Sequence, residues 1–397
     1  MSLRVCFITS SFSRGPGDHS TPWLVRLIEE LRPGAEVTVF APSFRGLPQT
    51  ALGSTPVHRF RYWPAGGEDL THEDTAPEKM GSPLFAIKVA SYIICGSFSA
   101  LLFFSRRRFD VLHVHWPFPQ GFFAAAALIF NPRARVVYHF HGSEVFLASS
   151  RPLLASVFRL LIRIADVLVA NSLVTAGEAR RIFTPPGQIE VIPFGTTLPE
   201  FKAAAGGDGL RLLFVGRLIG RKGLSYLLRA LKNIRGSGLQ ATLSVAGDGP
   251  LRKDLERETA ELGLSGAVDF KGYLPAGSSL LAAEYSACDI FILPSVTDEL
   301  GNSEGLGMTA IDAMLMGKPV VAFASGGIAS VISDGVTGFL AREKDPEDLA
   351  RKIKLAFSDP GRTAIIAAEA RRRAEDEFSW QKVTRKLLEI YTDRKLS

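Results

Sequence analysis

Short runs of apolar residues alternate along the chain with longer segments of helical spacing. Arg4–Ser10 is the first run; it passes into Ser/Gly-rich sequence, and helix-like Pro22–Leu31 follows. Glu36–Ala41, Val111–His115, Arg135–Phe140, Val167–Ala170 and Ile189–Ile192 continue the series, one closing on His115 and another with His139 and His141 on either side of its last residue. Runs this short and this apolar suit parallel strands covered on both faces by helices. After Pro199 the texture changes, and Lys202–Gly209 has the composition of a linker. The alternation then restarts with strand Leu210–Val215, helix Gly223–Arg235, strand Ala241–Ala246 and helix Leu251–Leu262. Four more strands are expected at Val268–Gly272, Ile290–Leu293, Pro319–Ala322 and Gly338–Leu340.

The pattern predicts an α/β chain of two doubly wound, Rossmann-like domains, residues 1–200 and 210–379. A basic closing helix within 380–397 is expected to pack back on the first domain. Ligands of such sheets bind beyond the carboxyl ends of the strands, and with two facing sheets the natural site is a cleft between them.

One segment breaks the rhythm. Leu84–Phe104 is long enough to cross a bilayer and is followed by Arg106-Arg107-Arg108. Lys88, Ser91, Tyr92, Gly96, Ser97 and Ser99 dilute it. Three readings stay open: a mostly buried helix, a helix on a membrane surface, and a span. A span would cut the strand series.

Composition narrows the partners. The 397 residues are 46% hydrophobic and 22% charged, which excludes a disordered chain. Residues 1–205 hold 20 Lys and Arg against 15 Asp and Glu, so five of the six net positive charges lie there. That excess is too weak to argue for nucleic acid and is compatible with a phosphate-bearing ligand or an anionic membrane. Cys6, Cys95 and Cys288 have no paired spacing, which favours a reducing compartment and argues against structural zinc. The N-terminus lacks the layout of a signal peptide. A cytoplasmic location is expected, with the inner face of the membrane as a place of contact.

The chemistry concentrates in the second half. Pro294–Ala322 comprises a strand end, a polar loop with Glu304, the sequence Gly305-Leu306-Gly307, a helix bearing Asp312, and a stop at Gly317-Lys318-Pro319. A glycine-rich helix start offers free backbone N–H groups and a positive dipole end to an anion such as a diphosphate. Carboxylates placed there can accept hydrogen bonds from ligand hydroxyls; equally, they can serve the helix itself. Val215-Gly216-Arg217-Leu-Ile-Gly-Arg221-Lys222-Gly223 puts basic side chains at the end of a strand, where phosphate oxygens could sit. Its spacing matches neither a Walker A loop nor a dinucleotide fingerprint. Ala246-Gly-Asp248-Gly-Pro250 and Phe270-Lys-Gly272-Tyr end the next two strands.

Taken together and in this order, these blocks resemble the GT-B glycosyltransferases, specifically retaining family 4. The resemblance covers nearly the whole chain and is most specific between Leu212 and Leu340. It implies that Arg217 and Lys222 contact a donor diphosphate and neutralise charge as the nucleoside diphosphate leaves. It implies that Glu304 binds a donor-sugar hydroxyl and that the amides of Gly305, Leu306 and Gly307 hold sugar and phosphate. Backbone from Phe270 to Gly272 would frame the base, with Gly216 and Asp248 in neighbouring turns. The family's Glu-x7-Glu ends here in Asp312, a shorter acid at the ribose position. In the first half, His139-Phe-His141-Gly-Ser-Glu144 is similar to the family's His-Gly-Ser/Thr-Asp/Glu block; His141 would lie near the anomeric carbon and Glu144 would support it. Gly15-Pro-Gly17-Asp18-His19 looks like the family's glycine loop near phosphates and acceptor. His113-Val-His115-Trp116-Pro117 is similar to an acceptor-side block.

The resemblance implies no cofactor and no metal, a UDP- or GDP-sugar being the substrate. His115, His141 and Glu144 fit no standard zinc spacing. The expected activity is retaining hexosyl transfer to a glycan or lipid-linked acceptor. A sugar-nucleotide epimerase and a non-catalytic sugar-binding relative are the alternatives.

Overall fold

The computed structural model describes residues 2–15, 18, 21–47, 51–71, 82–149, 151–185, 187–196, 198, 209–299 and 303–393. The chain forms two compact units: Met1–Ile192 together with Val383–Ser397, and Pro193–Lys382.

The first unit is built on a seven-stranded sheet. Its strands are β1 (Leu3–Ile8), β2 (Ala35–Pro42), β3 (Val57–Phe60), β4 (Val111–His115), β5 (Arg135–Phe140), β6 (Val167–Ala170) and β7 (Ile189–Val191). They lie in the order β3-β2-β1-β4-β5-β6-β7, all parallel. The order reverses between β1 and β4, so the carboxyl ends of those two strands mark the switch point where ligands of such sheets bind. β4 and β6 are buried at every position, which is why they appear as unbroken apolar runs.

Strand β3 was not among the expected elements. Its sequence, Val-His-Arg-Phe, shows no apolar run, and it forms an edge of the sheet. Its Arg59 is buried, and the guanidinium donates to the carbonyls of Ser13 (2.5 Å) and Pro42 (3.3 Å).

The helix Pro83–Ser105 begins where Ser82 accepts from the Phe85 amide. One face packs on the unit: Gly96 leaves room for Phe123, whose ring a Cβ would approach to 2.4 Å. Tyr92 and Gln120 share a 2.8 Å hydrogen bond. Only Tyr92, Gly96, Ala100, Phe103 and Phe104 are fully buried, so of the three readings left open by the sequence the mostly buried helix is not met. Its inward face is committed to the sheet while its outward face is exposed. The closing helix, Trp380–Thr392, buries Val383, Leu387 and Tyr391, and from Val383 onward it belongs to the first unit.

The second unit repeats the plan with β8 (Leu210–Val215), β9 (Ala241–Ala246), β10 (Val268–Gly272), β11 (Ile290–Leu293), β12 (Val320–Phe323) and β13 (Phe339–Ala341). The order is β10-β9-β8-β11-β12-β13, again wholly parallel. Its switch point lies between β8 and β11, whose ends carry the basic and acidic motifs.

Candidate active site

In the second unit, Gly223 decides the local geometry. It has φ 68°, and a Cβ there would lie 1.9 Å from the Pro294 carbonyl oxygen. Only glycine lets the Arg221-Lys222 turn rest against the end of β11. The Lys222 ammonium then donates to Glu304 at 2.5 Å, and the Arg221 guanidinium lies 3.7 Å from the same carboxylate. The Ser295 hydroxyl donates to Glu304 at 3.2 Å, while Arg221 also donates to the Ser303 carbonyl at 3.2 Å. Burial by itself would raise the Glu304 carboxyl, but Lys222, Arg221 and Ser295 outweigh it and hold the group below the usual range. Glu304 is therefore ionised at neutral pH. Arg217 is exposed in the turn beyond β8.

Gly305-Leu306-Gly307 leads from Glu304 into the helix Met308–Leu315. Gly307 takes φ 78°, and no side chain caps the first turn. Gly327 presses on this segment: its amide donates to the Glu304 carbonyl at 2.7 Å, and a Cβ there would lie 2.0 Å from the Gly305 oxygen. Asp312, about one turn into that helix, is buried and accepts from the Thr196 hydroxyl at 2.5 Å. Burial pushes its carboxyl up to about 7, against the lowering effect of that hydrogen bond.

The remaining predicted positions form a row of turns. Gly216 sits against Gly247, whose Cβ would come within 1.8 Å of the Gly216 oxygen, and the Gly247 amide donates to Gly272 at 2.8 Å. Phe270 and Gly272 lie on β10, two strands from β8. Asp248 is exposed, with its carboxylate accepting from the Gly249 amide and facing Arg252 at 3.8 Å.

In the first unit, four histidines gather at the ends of β4 and β5. His115 is opposite His139, and alternation puts His113 on the same face. The Tyr391 hydroxyl is 2.6 Å from His113 Nδ1, and His113 Nε2 is 3.3 Å from His139 Nδ1. One tautomer assignment satisfies both contacts: Tyr391 donates to His113 Nδ1, and His113 donates through Nε2 to His139 Nδ1. His115 Nδ1 is 3.1 Å from His141 Nε2. Burial, followed by repulsion among the rings, lowers His113, His115 and His141 well below the usual histidine range, and burial takes His139 to about 3. All four are neutral at pH 7. His141 is partly buried, with the Trp116 ring 4.3 Å and the Trp23 ring 5.1 Å away. Trp116 itself is left-handed at φ 53°, a conformation costing on the order of 1–3 kcal/mol in a residue with a Cβ.

Glu144 holds His141 by its backbone rather than its ring: the carboxylate accepts from the His141 amide at 2.7 Å and from Ser143 at 3.3 Å. Burial pushes Glu144 up to about 7. Gly15 accepts from the Asp18 amide at 3.1 Å, and Arg14 clamps the Asp18 carboxylate at 2.7 Å. Gly17 lies outside the described residues. The nitrogens of His113, His115 and His139 lie within 4.8 Å of one another and could hold a metal ion, although His113 and His139 already hydrogen-bond each other.

Several contributors were not singled out in the sequence. Arg221 had a signal, since it adjoins Lys222. Thr196, Ser295, Trp23 and Tyr391 had none, because each reaches its place only through tertiary folding.

Two family descriptions fit the chain: "Glycosyltransferase Family 4" over residues 23–198 and "Glycosyl transferases group 1" over 199–373. The chain is 30% identical over 273 residues to the GDP-mannose-dependent alpha-(1-6)-phosphatidylinositol monomannoside mannosyltransferase of Mycolicibacterium smegmatis, covering 66% of this chain and 71% of the relative. It is 32% identical over 285 residues to the D-inositol 3-phosphate glycosyltransferase of Geodermatophilus obscurus, covering 66% of this chain and 56% of the relative. Sucrose-phosphate synthase of Thermosynechococcus elongatus has the same fold, with a TM-score of 0.76 at 21% identity over 98% of both chains. Anabaena Alr3699/HepE, solved in complex with UDP, has a TM-score of 0.71 at 21% identity over 98% of this chain and 99% of that one. The chain belongs to the group 1 glycosyltransferases of family 4, on the GT-B fold.

Proposed function

We propose that this glycosyltransferase moves a hexosyl residue, with retention and without a metal, from a nucleoside-diphosphate sugar to a glycan or lipid-linked acceptor. The observation that carries this reading is the Lys222–Glu304–Arg221 cluster beside the start of the helix Met308–Leu315. An ionised acid and two cations at a helix N-terminus suit a ligand that joins hydroxyls to a diphosphate. Glu304 accepts from a donor-sugar hydroxyl, and the Gly305–Gly307 amides take sugar and phosphate oxygens. Lys222 and Arg217 stabilise negative charge as the bond from the anomeric carbon to the diphosphate breaks. Asp312 and Thr196 meet the ribose, and the turns of Gly216, Asp248, Phe270 and Gly272 meet the base. The first unit supplies the acceptor side, with neutral His141 placed to hydrogen-bond a sugar hydroxyl. The acceptor oxygen bonds to the anomeric carbon on the face the diphosphate leaves, and its proton passes to the leaving phosphate oxygen.

The test is a panel of UDP- and GDP-sugars, with and without glycan or lipid-linked acceptors. One relative is a GDP-mannose-dependent mannosyltransferase and one protein of the same fold was solved in complex with UDP, so both nucleotides belong in it. Release of nucleoside diphosphate that an acceptor accelerates, unaffected by chelator and giving a retained anomer by NMR, is expected. Lys222→Ala should lose transfer by at least about a hundredfold while the fold persists. An isomerised sugar nucleotide without diphosphate release would instead make this an epimerase. Full activity in Lys222→Ala would remove the assigned role.

A further inference from the structure

The helix Pro83–Ser105 has two apolar faces. The inner one is accounted for by Tyr92, Gly96, Phe103 and Phe104. The outer one is a ladder at four-residue spacing, Ala86, Ala90, Ile94, Phe98 and Leu102, every member exposed; Ile94 is 67% and Phe98 64% accessible. A helix lying on water ordinarily carries its charges on that face. Here 23 residues, about 34 Å of helix, include one charged side chain, Lys88, and it turns aside to Asp69 at 2.8 Å. The ladder's next step is Arg106, followed by Arg107 and Arg108, all exposed. These three line a shallow recess with Arg4, Glu36, Thr38 and Phe109.

We propose that this face docks on an anionic bilayer. The apolar ladder lies among the acyl chains at the interface, and the arginine end meets lipid phosphates. Charge complementarity selects the occupant: a long uncharged stripe closed by three arginines fits an apolar sheet bordered by negative headgroups. The inner face stays on the sheet through Ser91, which donates to the Tyr62 carbonyl at 2.6 Å, and Ser99, 3.0 Å from His58. The helix therefore lies on the membrane and does not cross it. It connects β3 to parallel β4, so it runs against the strands, with Ser82 at their carboxyl-end side. Docking along its length brings that edge of the first unit to the lipid surface, where a lipid-linked acceptor would be held.

Sedimentation of the full chain with phosphatidylcholine vesicles, with and without phosphatidylglycerol, tests this independently of any transferase activity. Binding is expected to the anionic vesicles at low salt and to fall at raised ionic strength. Ile94→Glu with Phe98→Glu should abolish it while leaving the thermal midpoint and donor hydrolysis unchanged, since both side chains are exposed. Replacing Arg106, Arg107 and Arg108 by Gln should weaken binding about a hundredfold and remove the preference for phosphatidylglycerol. Three results would overturn the proposal. One is no binding to anionic vesicles at low salt. Another is a self-association that the Glu variants abolish without any vesicle binding, which would make a second copy the occupant. The third is retention in the membrane after carbonate washing, which would mean a span.

Discussion

Glu304 faces two cations and carries the acid end of the site. While Lys222 and Arg221 are turned toward it, their charge is partly spent within the protein. Glu304→Gln keeps the shape and an acceptor oxygen but removes the negative charge. Both cations then become more available to a diphosphate, whereas the sugar hydroxyl loses a charged acceptor. Transfer should fall about a hundredfold, a rise of about 2.7 kcal/mol in the barrier, while affinity for the free nucleoside diphosphate stays level or tightens. Calorimetric titration of nucleotide alongside steady-state kinetics separates the two effects. Parallel losses in both would mean that Glu304 supports the fold of the loop rather than the chemistry.

At the scale of elements, the site is assembled by turns that touch through glycine. Gly327 of the β12 turn leans on Gly305, and a methyl group at 2.0 Å from the Gly305 oxygen must push the donor loop away. Gly327→Ala should therefore cost at least about tenfold in donor affinity along with some thermal stability. Gly220→Ala is the matched control, since nothing lies within 4 Å of its Cβ position. Equal behaviour of the two variants would show that contact between these turns does not shape the site.

This dependence on contact also explains what could be read from sequence. Strands such as β4, β6 and β11 were legible because burial on both faces leaves only apolar choices. Edge strand β3 escaped because His58 and Arg59 find partners only after folding, one in Ser99 and the other in backbone carbonyls. Lys222, Glu304 and Asp312 stood out because their spacing in one chain is a signature. The partners Ser295 and Thr196 did not, because they lie 9 and 116 residues from the acids they serve. The outer face of Pro83–Ser105 was ambiguous for another reason: apolar composition does not say which side of a helix the protein covers.

Across the whole molecule, the titrating groups are divided unequally, and pH should separate the two units. All seven histidines lie before residue 192, in the first unit. His113, His115, His139 and His141 are held neutral chiefly by burial, and burial together with repulsion from Arg107 takes His58 to about 4. An unfolded chain protonates these rings below about 6.5 and the native one resists, so each can cost up to about 1.4 kcal/mol of stability per pH unit as pH falls. The buried acids act in the opposite sense. Glu144 and Asp312, near 7 when folded and near 4 when unfolded, keep a proton that the unfolded chain releases, so their contribution is full below about 4 and is lost as pH rises to 7. In the first unit five histidines oppose one such acid, whereas in the second Asp312 acts without any histidine. Acidification from pH 7.5 to 5.5 should lower the first unit's melting transition by several degrees and leave the second level or slightly raised. Tryptophan fluorescence is suited to the measurement, because Trp23, Trp63 and Trp116 report the first unit and Trp380→Phe silences the second. Calorimetry supplies the other transition. A first-unit midpoint that does not move over this range would show that the histidines are not buried in neutral form, and with that the tautomer chain from Tyr391 through His113 to His139 would fall.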